Sequence, residues 1–164
     1  MILIGLHIVL LIGLLFCLYQ DLKDRTIHLA LFGVILVSTL ALNYIIGNNW
    51  MNALYSSLFL GVNLLCLFIY VSIKQKKLVN IFNAHLGLGD VLFFLAIIPL
   101  FSLRNFILFF ISGMLLSMLF HLILNKYQKH ATIPLAGYLS LFLISIVLFS
   151  VLSSNYSVLK VDLI

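Results

Sequence analysis

Six apolar runs separated by short polar gaps account for nearly the whole chain, and they are its strongest constraint. Crossing the hydrocarbon core of a bilayer takes roughly 20 helical residues, within a range of about 17 to 25. The runs cover residues 3–20, 27–46, 52–73, 88–100, 103–124 and 133–152. The fourth is short and is broken near Pro99. In lipid an unpaired backbone amide costs several kcal/mol, on the order of 2–7, so only helices and closed barrels span a membrane. A barrel strand alternates apolar and polar residues, whereas these runs are apolar at successive positions. The expected fold is therefore all-α: a polytopic integral membrane protein with six transmembrane helices, forming a single membrane-embedded domain over residues 1–164.

Composition supports that reading. Hydrophobic residues make up 65% of the chain and formally charged residues 8%, against about a quarter charged in soluble domains. Too few charges are present to cover a water-exposed surface, so membrane lipid is the expected solvent, and no room remains for a separate soluble domain. Residues 2–19 have no basic residue ahead of them; Lys23 and Arg25 follow instead. That charge order differs from a cleaved signal peptide, so the first run reads as a retained helix.

The net charge is +5. Its basic residues form no extended patch interleaved with aromatics, which argues against a nucleic-acid partner. Lys23, Arg25, Lys74, Lys76, Lys77, Lys126 and Lys129 fall in the gaps after the first, third and fifth runs, while Arg104 and Lys160 fall on the opposite side. The positive-inside rule then puts the odd-numbered gaps in the cytoplasm and both termini outside. It also brings the gaps holding Asp21, Asp24 and Asp90 to one membrane face.

Cysteine and histidine give no metal signature. Cys17 and Cys66 lie within apolar runs and form no CxxC motif, as expected of core packing. His7 and His121 lie within spans. His28, His85 and His130 lie near the cytoplasmic edge. None forms HExxH or another close pair. No metal or cofactor is expected. Trp50 and the tyrosines suit interfacial anchoring.

The carboxylates are the candidates for chemistry. Asp90 closes Gly87-Leu88-Gly89-Asp90 at the head of an apolar run. A carboxylate there is expensive unless solvated, paired or used. It can serve as a helix cap, and the glycines permit sharp turns or close approach of another chain. Asp21 ends the first span. It is either an interfacial carboxylate paired with Lys23 or Arg25, or one half of a pair with Asp90. Asp24, in the middle of the polar stretch, fits the former description better. Two adjacent carboxylates share a proton, so one can activate water while the other protonates the carbonyl or leaving group. That is aspartic-protease chemistry, and it needs no metal.

Three segments extend this pattern: Asp21 followed six residues later by Ile27; Gly87-Leu88-Gly89-Asp90; and Ile133-Pro134-Leu135-Ala136-Gly137-Tyr138-Leu139. In order, spacing and six-span layout the chain resembles the type IV prepilin peptidase family, the GxGD membrane aspartyl proteases. The resemblance implies Asp21 and Asp90 as catalytic residues, supported by Gly87, Gly89 and Ile27. It implies a prepilin or pseudopilin substrate, with a short basic leader ahead of a hydrophobic helix and cleaved at the cytoplasmic edge of the inner membrane. His28 stands where the family usually has Pro, and Leu92 where many members have Lys. The paired-CxxC cytoplasmic domain associated with methylation in many members has no counterpart, which implies the peptidase core alone. The alternative from the residues is a small transporter or a non-catalytic membrane assembly subunit, since ionisable groups within spans also mark ion routes. The carboxylates sit at span ends, and no duplicated half is evident, so the peptidase expectation is preferred.

Overall fold

The computed structural model describes residues 2–75, 87–124 and 134–152. Lys76, Lys77, His85, Lys126, Lys129, His130, Ile133, Lys160 and Asp162 lie outside the described residues. Among those described there are six helices: α1 (Ile2–Asp24), α2 (Leu29–Ile46), α3 (Trp50–Gln75), α4 (Leu88–Ile97), α5 (Leu103–Leu124) and α6 (Leu135–Leu152). A 3-10 turn at Ile98–Leu100 extends α4. No strand occurs among the described residues.

Helices α1, α2, α3 and α5 are long and apolar enough to cross a membrane, while Leu88–Leu100 and Leu135–Val151 are shorter apolar helices. The 26 residues of α3 reach about 39 Å at a rise of 1.5 Å per residue, whereas the 10 residues of α4 reach only about 15 Å. Large apolar side chains crowd the outer surface, among them Phe16, Val37, Leu58, Leu65, Leu115 and Phe149. A soluble monomer rarely exposes so extensive an apolar surface; lipid accommodates it.

Local chemistry sets the helix ends. The first helix continues through the first polar gap to Asp24, and Arg25 then turns the chain with φ of 55°. This left-handed conformation is uncommon for a residue with a side chain. The His28 backbone N–H donates to Gln20 Oε1 at 3.0 Å, tying the start of α2 back to α1. At the far end of α2, Gly47 adopts φ of 70° and its N–H donates to the Asn43 carbonyl at 3.0 Å, an αL cap that glycine adopts without a Cβ penalty.

The end of α4 is also explained by its sequence. Pro99 has no N–H to continue the helical ladder, and the last turn tightens to 3-10. Side chains of α2 satisfy carbonyls at this broken end: Thr39 Oγ1 donates to the Ala96 carbonyl at 2.7 Å, and Asn43 Nδ2 to the Pro99 carbonyl at 2.6 Å.

Helix α1 packs against α2 and α6, and α4 also packs against α2 and α6. Aromatic rings join the other side. Phe59 of α3 meets Phe106 and Phe110 of α5 edge-on, Phe94 of α4 meets the same two rings, and Phe109 stacks on Phe142 of α6. These contacts fix where the start of α4 and the start of α6 stand relative to the end of α1.

Candidate active site

The buried positions of α1 are His7, Leu10, Gly13, Leu14, Cys17 and Asp21. Their spacing of three and four is that of a single helical face. Asp21 is thus the last member of the core-facing stripe and is 7% exposed. It is not an interfacial loop carboxylate: the helix runs past it, and its side chain points toward α6. Asp24, three residues on, is exposed. Cys17 lies one turn deeper than Asp21 and is fully buried, while Cys66 is exposed on α3.

Asp90 is the third residue of α4, half-buried. Its carboxylate accepts a backbone hydrogen bond from Gly87, the residue capping that helix. This is the reach-back from the third helical position seen in a capping box. Gly87 has φ of −65°, and Gly47 is the sole glycine with positive φ among the described residues. Two roles are open to the GxGD glycines, sharp turns or close approach, and neither glycine takes a left-handed turn. Gly87 instead lies against its own carboxylate: a Cβ there would sit 3.2 Å from Asp90 Oδ2. Gly89 faces Ile27 and Phe32, each 3.7 Å from the place of a Cβ. Ile27 and Gly89, far apart in sequence, are neighbours at the site.

The two aspartates meet at the start of α6. Pro134 precedes that helix, and its carbonyl accepts the first helical bond from Tyr138 at 3.1 Å. The amides of the first turn have no partner within their own helix. Ala136 N–H donates to Asp90 Oδ1 at 2.9 Å, and Gly137 N–H donates to Asp21 Oδ2 at 2.6 Å. Consecutive amide nitrogens are at most about 3.7 Å apart, so these two oxygens lie within about 9 Å of each other. The positive end of the α6 dipole faces both carboxylates. The Arg25 side chain adds a second positive source, close enough to act electrostatically on both.

Asp21, Asp90, Gly87, Gly89 and Ile27 are gathered at one end of the helix bundle. Ala136, Gly137 and Arg25 join them; the first two lie in the segment from Ile133 to Leu139 and Arg25 is a possible partner of Asp21 in the sequence, but none is assigned a site role there. Their signal was faint: small residues two and three positions after a proline at a helix start, and a cation four residues after Asp21. Among the described residues no three His, Cys, Asp or Glu side chains gather as a metal-binding group. Beside the site, between α2 and α4, runs an apolar groove of about 630 Å³ whose lining includes Phe32, Gly33, Leu92 and Ala96.

The arrangement has two chemical capacities. The carboxylates can cap α6, each pairing an amide that would cost about 1–3 kcal/mol if left buried and unpaired. They can also act together as acid and base on a water between them. No family model, curated protein or solved structure matches the chain.

Proposed function

We propose that this chain is a membrane aspartyl endopeptidase of the prepilin-peptidase type, with Asp21 and Asp90 as its catalytic pair. One observation carries the reading: the two carboxylates, from α1 and α4, bond to consecutive amides at the start of α6. In the proposed mechanism one carboxylate, ionised, takes a proton from a water as that water attacks the scissile carbonyl. The other, protonated, donates to the carbonyl oxygen; as the C–N bond breaks, the first passes the water's proton to the departing amine nitrogen and the second takes a proton back from the gem-diol. The substrate class follows from the resemblance set out above: a prepilin or pseudopilin with a short basic leader and a hydrophobic helix.

In this reading the chain crosses the cytoplasmic membrane six times with both termini outside. The site then faces the cytoplasmic edge, the side favoured by the lysine and arginine count. Prepilin-like substrate and membrane lipid are its partners.

A second reading has support of its own. Both carboxylates satisfy helix-start amides, as they would in a non-catalytic membrane subunit where they serve only as caps. Asn separates the two readings, because it caps helix starts about as well as Asp and cannot act as acid or base. Wild-type protein and the Asp21→Asn and Asp90→Asn variants, reconstituted in lipid, would be assayed for leader removal from a panel of prepilin-like substrates. Cleavage by wild type alone supports the peptidase. Full cleavage by either well-inserted variant, or none by wild type across the panel, favours the capping reading.

A further inference from the structure

We propose that Gly137 is a positioning residue for Asp21, and that the close contact between them requires glycine at this place in α6. The inference rests on the aspartyl-peptidase reading for its catalytic consequence, and on geometry alone for the contact itself.

Gly137 N–H donates to Asp21 Oδ2 at 2.6 Å, and both residues are buried. A Cβ on Gly137 would sit 3.0 Å from that same oxygen, 3.3 Å from Asp21 Cβ and 3.6 Å from Asp21 Cγ. The added carbon would thus press on the carboxylate from the side its amide holds. Asp21 sits on the core-facing stripe of α1 where it packs on α6, and its Cβ, one of the atoms met, is fixed to the α1 backbone, so side-chain rotation alone does not relieve the contact. Retreat of the Asp21 side chain would break the amide bond; retreat of α6 would also move Ala136, whose amide holds Asp90 Oδ1 at 2.9 Å. Either way a single methyl uncouples the two carboxylates from their common anchor. Misplacement of reacting groups by about 1 Å can cost on the order of 100-fold in rate.

Gly113 supplies the contrast. It lies at the α5–α6 contact, and a Cβ there would meet the end of the Leu139 side chain at 2.5 Å and Phe142 Cδ1 at 3.7 Å. Gly113→Ala therefore perturbs packing of the same helix without touching either aspartate. It reports what a purely structural disturbance of α6 does.

The experiment compares wild type, Gly137→Ala and Gly113→Ala in lipid nanodiscs with two readouts. The first is the labelling rate of each aspartate by a hydrophobic carbodiimide, followed by mass spectrometry, which needs no substrate. The second is the split of kcat and KM on a prepilin-like peptide. Gly137→Ala should raise labelling of Asp21 several-fold by displacing it from its buried seat. It should also lower kcat about 100-fold with KM within about two-fold. Gly113→Ala should lower thermal stability while leaving Asp21 labelling and kcat near wild type. Unchanged Asp21 labelling in a folded Gly137→Ala protein overturns the proposal, as does an equal rise in both variants. If wild type cleaves nothing while Asp21 labelling responds to Gly137→Ala alone, the positioning contact stands and the peptidase reading falls.

Discussion

Asp21 and Asp90 cap one helix from two others: Gly137 donates its amide to the first, and the adjacent Ala136 donates to the second. The Arg25 side chain acts electrostatically on both carboxylates as well. Both depend on the backbone of α6, whose first turn is fixed by Pro134 and by packing on α1 and α4. A backbone anchor holds its direction through side-chain motion.

Substituting the pair tests catalysis against capping. Asp21→Asn and Asp90→Asn should each lower leader cleavage by at least about 100-fold, the lower end of what general acid–base groups contribute. The double variant should be little worse than either single, because residues acting as one unit lose their whole effect at the first removal. Membrane insertion, followed by protease protection, should be unchanged. Additive losses would argue for two independent roles.

Asp24 is the internal control. It is exposed at the last position of α1, off the buried face that ends at Asp21. Asp24→Asn should leave cleavage within about two-fold and stability within about 0.5 kcal/mol, as for surface substitutions. Loss of cleavage in a correctly inserted Asp24→Asn protein, with Asp21→Asn still active, would mean that the wrong carboxylate had been paired with Asp90.

Much of this arrangement was legible in the sequence because lipid simplifies the problem. Apolar run length located six helices, and Pro99 located the break after Ile97, since a missing N–H is a local property of the chain. The end of α1 was misplaced at residue 20. A polar gap reads as a loop, yet Gln20 to Asp24 remain helical. The spacing from His7 to Asp21 already carried the information that Asp21 faces the core. What sequence could not supply was the partner of each carboxylate. Gly137 and Ala136 donate through the backbone, and backbone amides look alike at every residue. Sequence left the GxGD glycines two roles, sharp turns or close approach of another segment; neither adopts a left-handed turn, and Gly89 lies beside Ile27 and Phe32.

Orientation can be tested on α3, whose ends are both described. With Cys17 and Cys66 replaced by Ala, single cysteines would be introduced as Asn49→Cys and Lys74→Cys. A membrane-impermeant maleimide applied to intact cells should label the first and spare the second until the membrane is permeabilised. The reverse pattern would invert the topology and move the aspartate pair to the outer face.

If the aspartates share a proton, cleavage should show a bell-shaped dependence on pH. At low pH both carboxyls are protonated and no base remains; at high pH both are ionised and no acid remains. Activity therefore falls on both sides of the singly protonated state, and the two limbs belong to the pair as a unit. The profile would be measured as kcat/KM across pH in nanodiscs. A single acid limb with a flat alkaline plateau would show that only one carboxylate takes part in proton transfer.

The polar contacts at the other end of α4 give the last prediction, and it concerns how Asp90 is held. Helix α4 is shorter than α1, α2, α3 and α5, and its far end is tied to α2. Thr39 Oγ1 reaches the Ala96 carbonyl and Asn43 Nδ2 reaches the Pro99 carbonyl, and both side chains are buried. Thr39→Val keeps the shape and removes the hydroxyl, leaving the Ala96 carbonyl without that donor. Asn43→Leu does the same for the Pro99 carbonyl. Each should destabilise the protein by about 1–3 kcal/mol, the penalty of an unsatisfied buried group, measured by thermal or denaturant unfolding in detergent. The two bonds hold one short segment, so their effects should be less than additive. Cleavage should fall with stability, through kcat more than KM, because α4 carries Asp90 at its opposite end. A stability loss with no change in kcat would show that the start of α4 is held by Gly87 and Ala136 alone.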